Sequence, residues 1–258
     1  PGPLSPEVPT ETREEWRAIL DQAAVLVEET IAPLNRASDL AESKFENGVV
    51  RTPAGWREAY TTWTEAGWNG VSLPESHGGA GLPIAIGTAT MEMMTSACMS
   101  LSTLPVLTQC AVPALEAHAD PALLDLYLPN LISGAWTATM NLTEPQAGSD
   151  LSLLKSRAEP AGDGTYRLFG QKTFITFGEH DLAENIIHLV LARLPDAPPG
   201  TKGISLFVAP KFLVHPDGRL GQRNDLRCAG IEHKLGIKAS PTCTMIYGDE
   251  EGAVGWLV

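Results

Sequence analysis

The chain has 258 residues, enough for one large domain or two modest ones, each able to bury its own core. With 43% hydrophobic and 19% charged residues it reads as globular, and 31 acidic against 18 basic side chains give a formal charge of −13, which argues against nucleic acid and anionic membranes as general partners. No uninterrupted apolar run has the roughly 18 residues of a membrane span, and no signal-peptide pattern opens the chain.

From Glu11 to Leu34 the residues Trp16, Ile19, Leu20, Ala23, Leu26, Val27, Ile31 and Leu34 recur at helical spacing, predicting an amphipathic helix. Thr52-Pro53 reads as an N-cap followed by a proline in the first turn, with Trp56, Tyr60 and Trp63 on one face behind it. Pro74 to Pro83 is a glycine-rich loop. A phosphate cradle is conceivable at His77–Gly81, but no helix-opening lysine follows, and a connecting loop is the preferred reading. A longer helix is expected through Met91, Met94 and Cys98. Met91, Met93, Met94 and Met99 read as core filler, with a substrate tunnel as the alternative for one of them. Asp120-Pro121 repeats the cap-and-proline start for a last helix ending near Asn130.

The pattern changes near Ser133-Gly134. Beyond it, Ala135–Leu142, Tyr166–Phe169, Ile186–Leu191, Ile204–Val208 and Thr244–Tyr247 are short apolar or alternating runs separated by Gly, Pro and Asp turns. Helices first and strands afterwards predict an α+β chain, with an all-α helical bundle over residues 1–134 and a β-rich domain over 135–258. Cys98, Cys110, Cys228 and Cys243 lack metal or redox spacing and read as reduced, mostly buried thiols of a cytosolic protein; His188, inside an apolar run, reads as a core histidine, and no metal site is expected. The start at Pro1 and the apolar end Gly255–Val258 suggest a fragment of a longer chain.

Two segments carry the chemistry. In Met140-Asn141-Leu142-Thr143-Glu144-Pro145-Gln146-Ala147-Gly148-Ser149-Asp150 an apolar strand runs into a small-residue turn with hydroxyls and carboxylates, where backbone N–H groups can approach an anionic ligand. Lys172-Thr173-Phe174-Ile175-Thr176-Phe177-Gly178 places an aromatic two residues before a threonine. Taken singly, Thr143 and Thr176 could be ordinary strand threonines, Phe174 a core aromatic, and Gly148-Ser149-Asp150 a turn or helix cap.

In this order the two segments resemble the flavin-binding signatures of the acyl-CoA dehydrogenases, T-E-x-x-A-G-S-D and K-x-[WF]-I-T. The resemblance extends to L-P-E-x-x-G-G at Leu73–Gly79 and H-K-L-G-I at His233–Ile237. It implies a helical N-terminal domain and a barrel-like β middle domain, with the family's C-terminal helical domain absent. Gly178–Leu182, Leu189–Gly203 and Pro210–Val214 resemble the branch containing 3-methylmercaptopropionyl-CoA dehydrogenase.

The resemblance further implies FAD as cofactor, held by Met140, Leu142, Thr143, Gly148, Ser149, Phe174, Ile175 and Thr176. Leu142 and Thr143 would serve the pyrimidine edge, Thr176 the region of O4 and N5, Phe174 one ring face and Gly148-Ser149 the pyrophosphate, with Ser149 also meeting the acyl-CoA substrate. Met140 departs from a frequent aromatic and Gln146 from a frequent glycine. The implied reaction is α,β-desaturation of an acyl-CoA to a trans-2-enoyl-CoA, with electrons passed to an electron-transferring flavoprotein by a cytoplasmic homodimer or homotetramer. The family's base is a glutamate on the third domain, so no catalytic residue is assigned here and Glu144 is read as structural. An acyl-CoA oxidase-like flavoprotein and a non-catalytic flavin- or acyl-CoA-binding subunit are the alternatives.

Overall fold

A computed structural model describes residues 9–258. Helix α1 (Thr10–Leu26) follows the expected stripe, burying Ala23, and passes through a π-helical turn (Val27–Ile31) that buries Val27 and Ile31. Helix α2 (Leu34–Ala41) starts after Pro33, whose missing N–H costs nothing at a helix start. The chain then makes a small hairpin, β1 (Lys44–Glu46) and β2 (Val49–Arg51), so the first half is not wholly helical. Its turn is Asn47-Gly48 with φ of 52° and 80°, the left-handed pair that a tight hairpin requires.

Helix α3 (Trp56–Glu65) buries Trp56, Tyr60 and Trp63 as expected, but begins after a left-handed Gly55. Thr52 does not cap it. Its N–H and hydroxyl both donate to Asp181 Oδ1, at 3.2 and 2.7 Å. The glycine-rich loop that follows turns its donors inward: Gly78, Gly79, Ala80, Gly81 and Leu82 donate to the carbonyls of Glu75, Pro74, Gly70, Leu73 and Val71. A phosphate would find no free donor among them, and the connecting-loop reading holds.

Helix α4 (Ile84–His118) is broken at Cys98 (φ −152°, ψ 85°), where the Thr95 hydroxyl donates to Ser102 Oγ at 3.0 Å across the break. Polar residues interrupt α4, so it holds no unbroken apolar run, yet by length and mean hydropathy it is apolar enough to cross a membrane; 56% of its most apolar window is buried inside the protein. Met91 and Met94 are buried and Met93 packs against them, but Met99 is 52% exposed and is not core filler. Helix α5 (Pro121–Ser133) starts at Asp120 as predicted, although the Asp120 carboxylate makes no capping bond, and the helix ends at Gly134.

The second half contributes β3 (Trp136–Asn141), β4 (Arg157–Pro160), β5 (Tyr166–Thr176), β6 (Asn185–Arg193), β7 (Ile204–Pro210), β8 (Phe212–Val214), β9 (Leu220–Arg223), β10 (Leu226–Ile231), β11 (Thr242–Tyr247) and β12 (Ala253–Leu257). β8 and β9 form a separate hairpin. The pairings β5–β12, β12–β7, β7–β6, β6–β4 and β4–β5 return to their start, so five strands close a barrel. Closure depends on the short β4, joined to β6 at Arg157↔Arg193. β11 and then β10 extend from the second half of β5, while β3 lies parallel to β6 on the other edge.

Leu168, Val190, Phe207, Ala209, Cys243 and Met245 are among the residues of the core within the strands. The helical half has no separate boundary layer against it. Val112, Leu128 and Leu131 share one buried cluster with Trp136, Ile187 and Val208, and Phe177 and Leu182 join the cluster around Trp56 and Trp63. Cys98, Cys228 and Cys243 are buried free thiols, while Cys110 is exposed.

A Cβ on Gly79 would lie 2.1 Å from the Leu73 carbonyl oxygen, a backbone atom that cannot rotate away. Gly79→Ala is therefore expected to destabilise the protein by about 3 kcal/mol, measured as a lowered urea midpoint with an unchanged slope.

Candidate functional site

The two motif segments are separate in sequence and stitched together in space. β3 delivers Asn141 to its end and β5 delivers Lys172–Thr176, longer than the predicted Tyr166–Phe169 strand. Thr173 N–H donates to the Thr143 carbonyl at 2.8 Å, and the Thr139 hydroxyl donates to the Thr176 carbonyl at 2.6 Å. Lys172, fully buried, donates from Nζ to the Leu142 carbonyl at 3.2 Å and to Glu144 Oε1 at 2.9 Å.

Glu144, 4% exposed, is the hub of the first segment. Besides Lys172 its carboxylate accepts Lys155 N–H at 2.7 Å, Ser156 N–H at 3.0 Å and Gln146 Nε2 at 2.5 Å. The Glu144 and Ala147 backbones exchange hydrogen bonds of 2.9 and 3.0 Å, closing the turn. Burial pushes the Glu144 carboxyl up, but the Lys172 and backbone donors outweigh it and hold it down at about 2; burial also lowers Lys172, and Glu144 opposes that shift. A carboxylate so low and so fully hydrogen-bonded is a weak proton acceptor.

Around this frame the predicted residues present open donors. Among the described residues the backbone N–H groups of Leu142 and Thr143, and the hydroxyls of Thr143, Ser149 and Thr176, have no partner within the chain. Phe174 stands 62% exposed in a left-handed backbone conformation, φ 60°, which is strained for a residue with a Cβ. It is not a core aromatic. Met140 is 36% exposed beside the same edge, whereas Ile175 is buried beneath it and can only support. Gly148 and Ser149 are exposed. A Cβ on Gly148 would meet nothing nearer than Thr143 Cγ2 at 4.0 Å, so the fold by itself does not require a glycine there. Asp150 caps the following helical turn, its Oδ1 accepting Ser152 N–H at 2.9 Å. These residues form an open face; a cleft of about 920 Å³ between α5, the β8–β9 turn and β12 contains none of them.

Several supports escaped sequence reasoning. Asn141, His188 and Tyr247 form a buried polar group: Tyr247 OH donates to Asn141 Oδ1 at 2.7 Å and lies 3.1 Å from His188 Nδ1. His188 is a core histidine as expected, held near pKa 3 by burial and then by Lys211, His180 and Arg223, and so neutral. Glu179, fully buried, pairs with Lys211 at 2.5 Å and Arg223 at 3.1 Å. Arg193 ties the turn after Asp150 to the loop before β7, donating to Leu154, Ser152 and Gly200 carbonyls. Glu144 and Lys172 had a signal, as charged residues inside apolar motif segments; the Asn141 group is spread over three strands and had none.

Profiles of the acyl-CoA dehydrogenase N-terminal and middle domains match residues 13–135 and 139–249. The chain is 49% identical over 245 residues to 3-methylmercaptopropionyl-CoA dehydrogenase of Ruegeria pomeroyi, an alignment covering 95% of this chain and 41% of that protein. It is 38% identical to a butyryl-CoA dehydrogenase of Syntrophomonas wolfei, covering 93% and 40%. The fold matches butyryl-CoA dehydrogenase of Megasphaera elsdenii with a TM-score of 0.72 at 22% identity, over 93% of this chain and 58% of that one. The chain belongs to the acyl-CoA dehydrogenase family, and it spans about two fifths of the length of these curated relatives (41% and 40%).

The frame makes its own prediction. Because the folded Glu144 lies at about 2 against an ordinary 4.5, its contribution is complete above 4.5 and is lost as pH falls toward 2. Glu144→Gln leaves the Lys172 ammonium buried without its counterion, so a loss of about 3 kcal/mol is expected at neutral pH. Urea titrations of both proteins between neutral pH and pH 2 should show this gap narrowing through the acid window.

Proposed function

We propose that this chain forms the flavin-bearing half of an FAD-dependent acyl-CoA dehydrogenase, which converts an acyl-CoA thioester to a trans-2-enoyl-CoA. One observation carries the reading: Phe174 is exposed and strained on the same strand as Thr176, and the Thr143 and Thr176 hydroxyls have no partner among the described residues. A strained exposed aromatic is costly in an isolated fold and is accounted for by a planar ring stacked upon it.

FAD would supply the hydride acceptor. The chain's own part is to orient and polarise it: the Leu142 and Thr143 N–H groups and the Thr143 hydroxyl suit the pyrimidine edge, where negative charge accumulates, and the Thr176 hydroxyl suits the N5 side. Phe174 covers one ring face, Met140 flanks it, and Ile175 supports the strand from below. Ser149, in the open turn with Gly148, suits a pyrophosphate oxygen or the pantetheine arm of the thioester.

The proton acceptor lies outside these residues on this reading. The α-proton of a thioester is weakly acidic and needs a desolvated carboxylate of raised pKa. Glu144, the buried carboxylate in the motifs, is instead held down at about 2 and locked by four donors. Relatives more than twice as long leave ample room for such a group elsewhere, and an electron-transferring flavoprotein would take the electrons from the complete homo-oligomer.

The full-length protein is expected to purify yellow with FAD. Thr176→Val should keep the fold and weaken FAD binding or slow flavin reduction by about three- to tenfold, the worth of one hydrogen bond. Flavin fluorescence and stopped-flow reduction measure these, and no change in either would show the motif assignment to be wrong. Residues 1–258 alone should form no enoyl-CoA with an artificial acceptor. Turnover near the full-length rate would move the base back inside this chain. Oxygen reoxidising the flavin as fast as turnover would instead indicate an oxidase.

A further inference from the structure

Lys234 is the unexplained cation of the motif region. Its ammonium is half-buried and donates to the Ser240 carbonyl at 2.6 Å and to the Thr242 hydroxyl at 2.9 Å, both neutral acceptors. Among the described residues no carboxylate pairs with it, although the chain has 31 acidic side chains against 18 basic ones. Burial lowers its pKa, a sign that the charge is held at a cost.

Its position gives that charge a target. Thr242, which receives the ammonium, is the direct cross-strand partner of Thr176 in the β11–β5 pairing. Direct partners in an antiparallel pair carry their side chains on the same face of the sheet. Thr242 therefore lies on the Thr176 face, and Lys234 lies against Thr242.

A structural clamp is the competing explanation, and the loop does not need one. Between Glu232 and Ser240 it is fastened independently: Glu232 N–H donates to the Thr242 carbonyl at 2.8 Å, Lys238 N–H to Asp39 Oδ1 at 3.3 Å, and Ser43 Oγ to the Ala239 carbonyl at 2.5 Å. Lys238 also pairs with Glu42 at 3.1 Å, and the Thr103 and Ser240 hydroxyls meet at 3.0 Å.

We infer that Lys234 is a positioning residue of the cofactor face, whose unpaired ammonium, set against Thr242 beside Thr176, favours the negatively charged reduced flavin over the neutral oxidised one. The inference rests on the flavin reading above. A unit charge acting across roughly 10 Å of partly desolvated protein is worth about tenfold in such an equilibrium.

The test uses the full-length protein reconstituted with FAD, as wild type, Lys234→Met, Lys234→Arg and the exposed control Lys202→Met. Three quantities are measured: the flavin midpoint potential by reductive titration against a reference dye, FAD affinity by fluorescence, and the melting temperature. Lys234→Met is expected to lower the reduced-to-oxidised ratio about tenfold, about 30 mV for a two-electron couple, while binding oxidised FAD with unchanged affinity. Lys234→Arg and Lys202→Met should keep the wild-type potential. An unchanged potential in Lys234→Met overturns the inference. So does a loss of melting temperature and FAD affinity in both Lys234 variants, which would make the residue a clamp. Wild-type protein that takes up no FAD at all would instead sink the flavin reading, and this inference with it.

Discussion

The buried pair between Glu144 and Lys172 is the constraint around which the motif region is organised. Each charge alone would be costly to bury, and together they are tolerable because every remaining valence of the carboxylate is filled by Lys155 N–H, Ser156 N–H and Gln146. A hydrophobic pair of equal volume could hold the strands as firmly. It could not fix the turn, since the carboxylate grips the backbone ahead of β4 while Lys172 grips the Leu142 carbonyl. One ion pair thus fixes where β3 ends, how the turn lies and where β5 stands. The free N–H groups of Leu142 and Thr143 sit inside that triangle, immobilised without being used.

The same economy appears at larger scale. β3 is held from two sides: its Trp136 and Ala138 share a buried cluster with residues of α4 and α5, and the Thr139 hydroxyl and the following Thr143 carbonyl hydrogen-bond to β5. The Thr108 hydroxyl on α4 accepts the Ala138 N–H at 3.1 Å, joining helix to strand by a polar bond inside an apolar contact. Displacing the helices would therefore displace β3 and its motif. The helical half is a wall of the site's foundation rather than a neighbour.

The fold was legible wherever one element buried one face. The stripe from Trp16 to Ile31 and the aromatics of α3 announce their period, whereas the run Ile186–Leu191 was legible as a near-continuous apolar stretch, as a strand buried on both faces should be. Elements defined by distant partners were not legible. Thr52 has the local chemistry of a cap, yet Asp181, 129 residues away, takes both its hydrogen bonds. β4 and β9 are mostly exposed and carry no alternation, although β4 closes the barrel. The Asn47-Gly48 hairpin was readable from turn chemistry and was hidden by the helical pattern around it. The motif order named the threonines from sequence, but the buried group of Asn141, Tyr247 and His188 arises only when β3, β6 and β11 come together.

Local rules fail at Phe174 in a way that matters for the site. An alternating strand should bury or expose its residues in turn, with extended backbone throughout; β5 already departs from this at Gly170, with φ 143°, and at the consecutive buried pair Lys172 and Thr173. Phe174 then adopts φ 60° and turns out 62% exposed, and Phe177, after the strand ends, takes φ 51° but is fully buried. Two phenylalanines pay the same conformational strain with opposite results. Phe177 recovers it by stacking on Trp56 at 6.3 Å and meeting His180 edge-on at 5.5 Å. Phe174 has no ring partner among the described residues. Because the strands on either side are held by the Glu144–Lys172 pair and by the Thr139 hydroxyl, the exposed ring cannot relax inward; the frame keeps it presented.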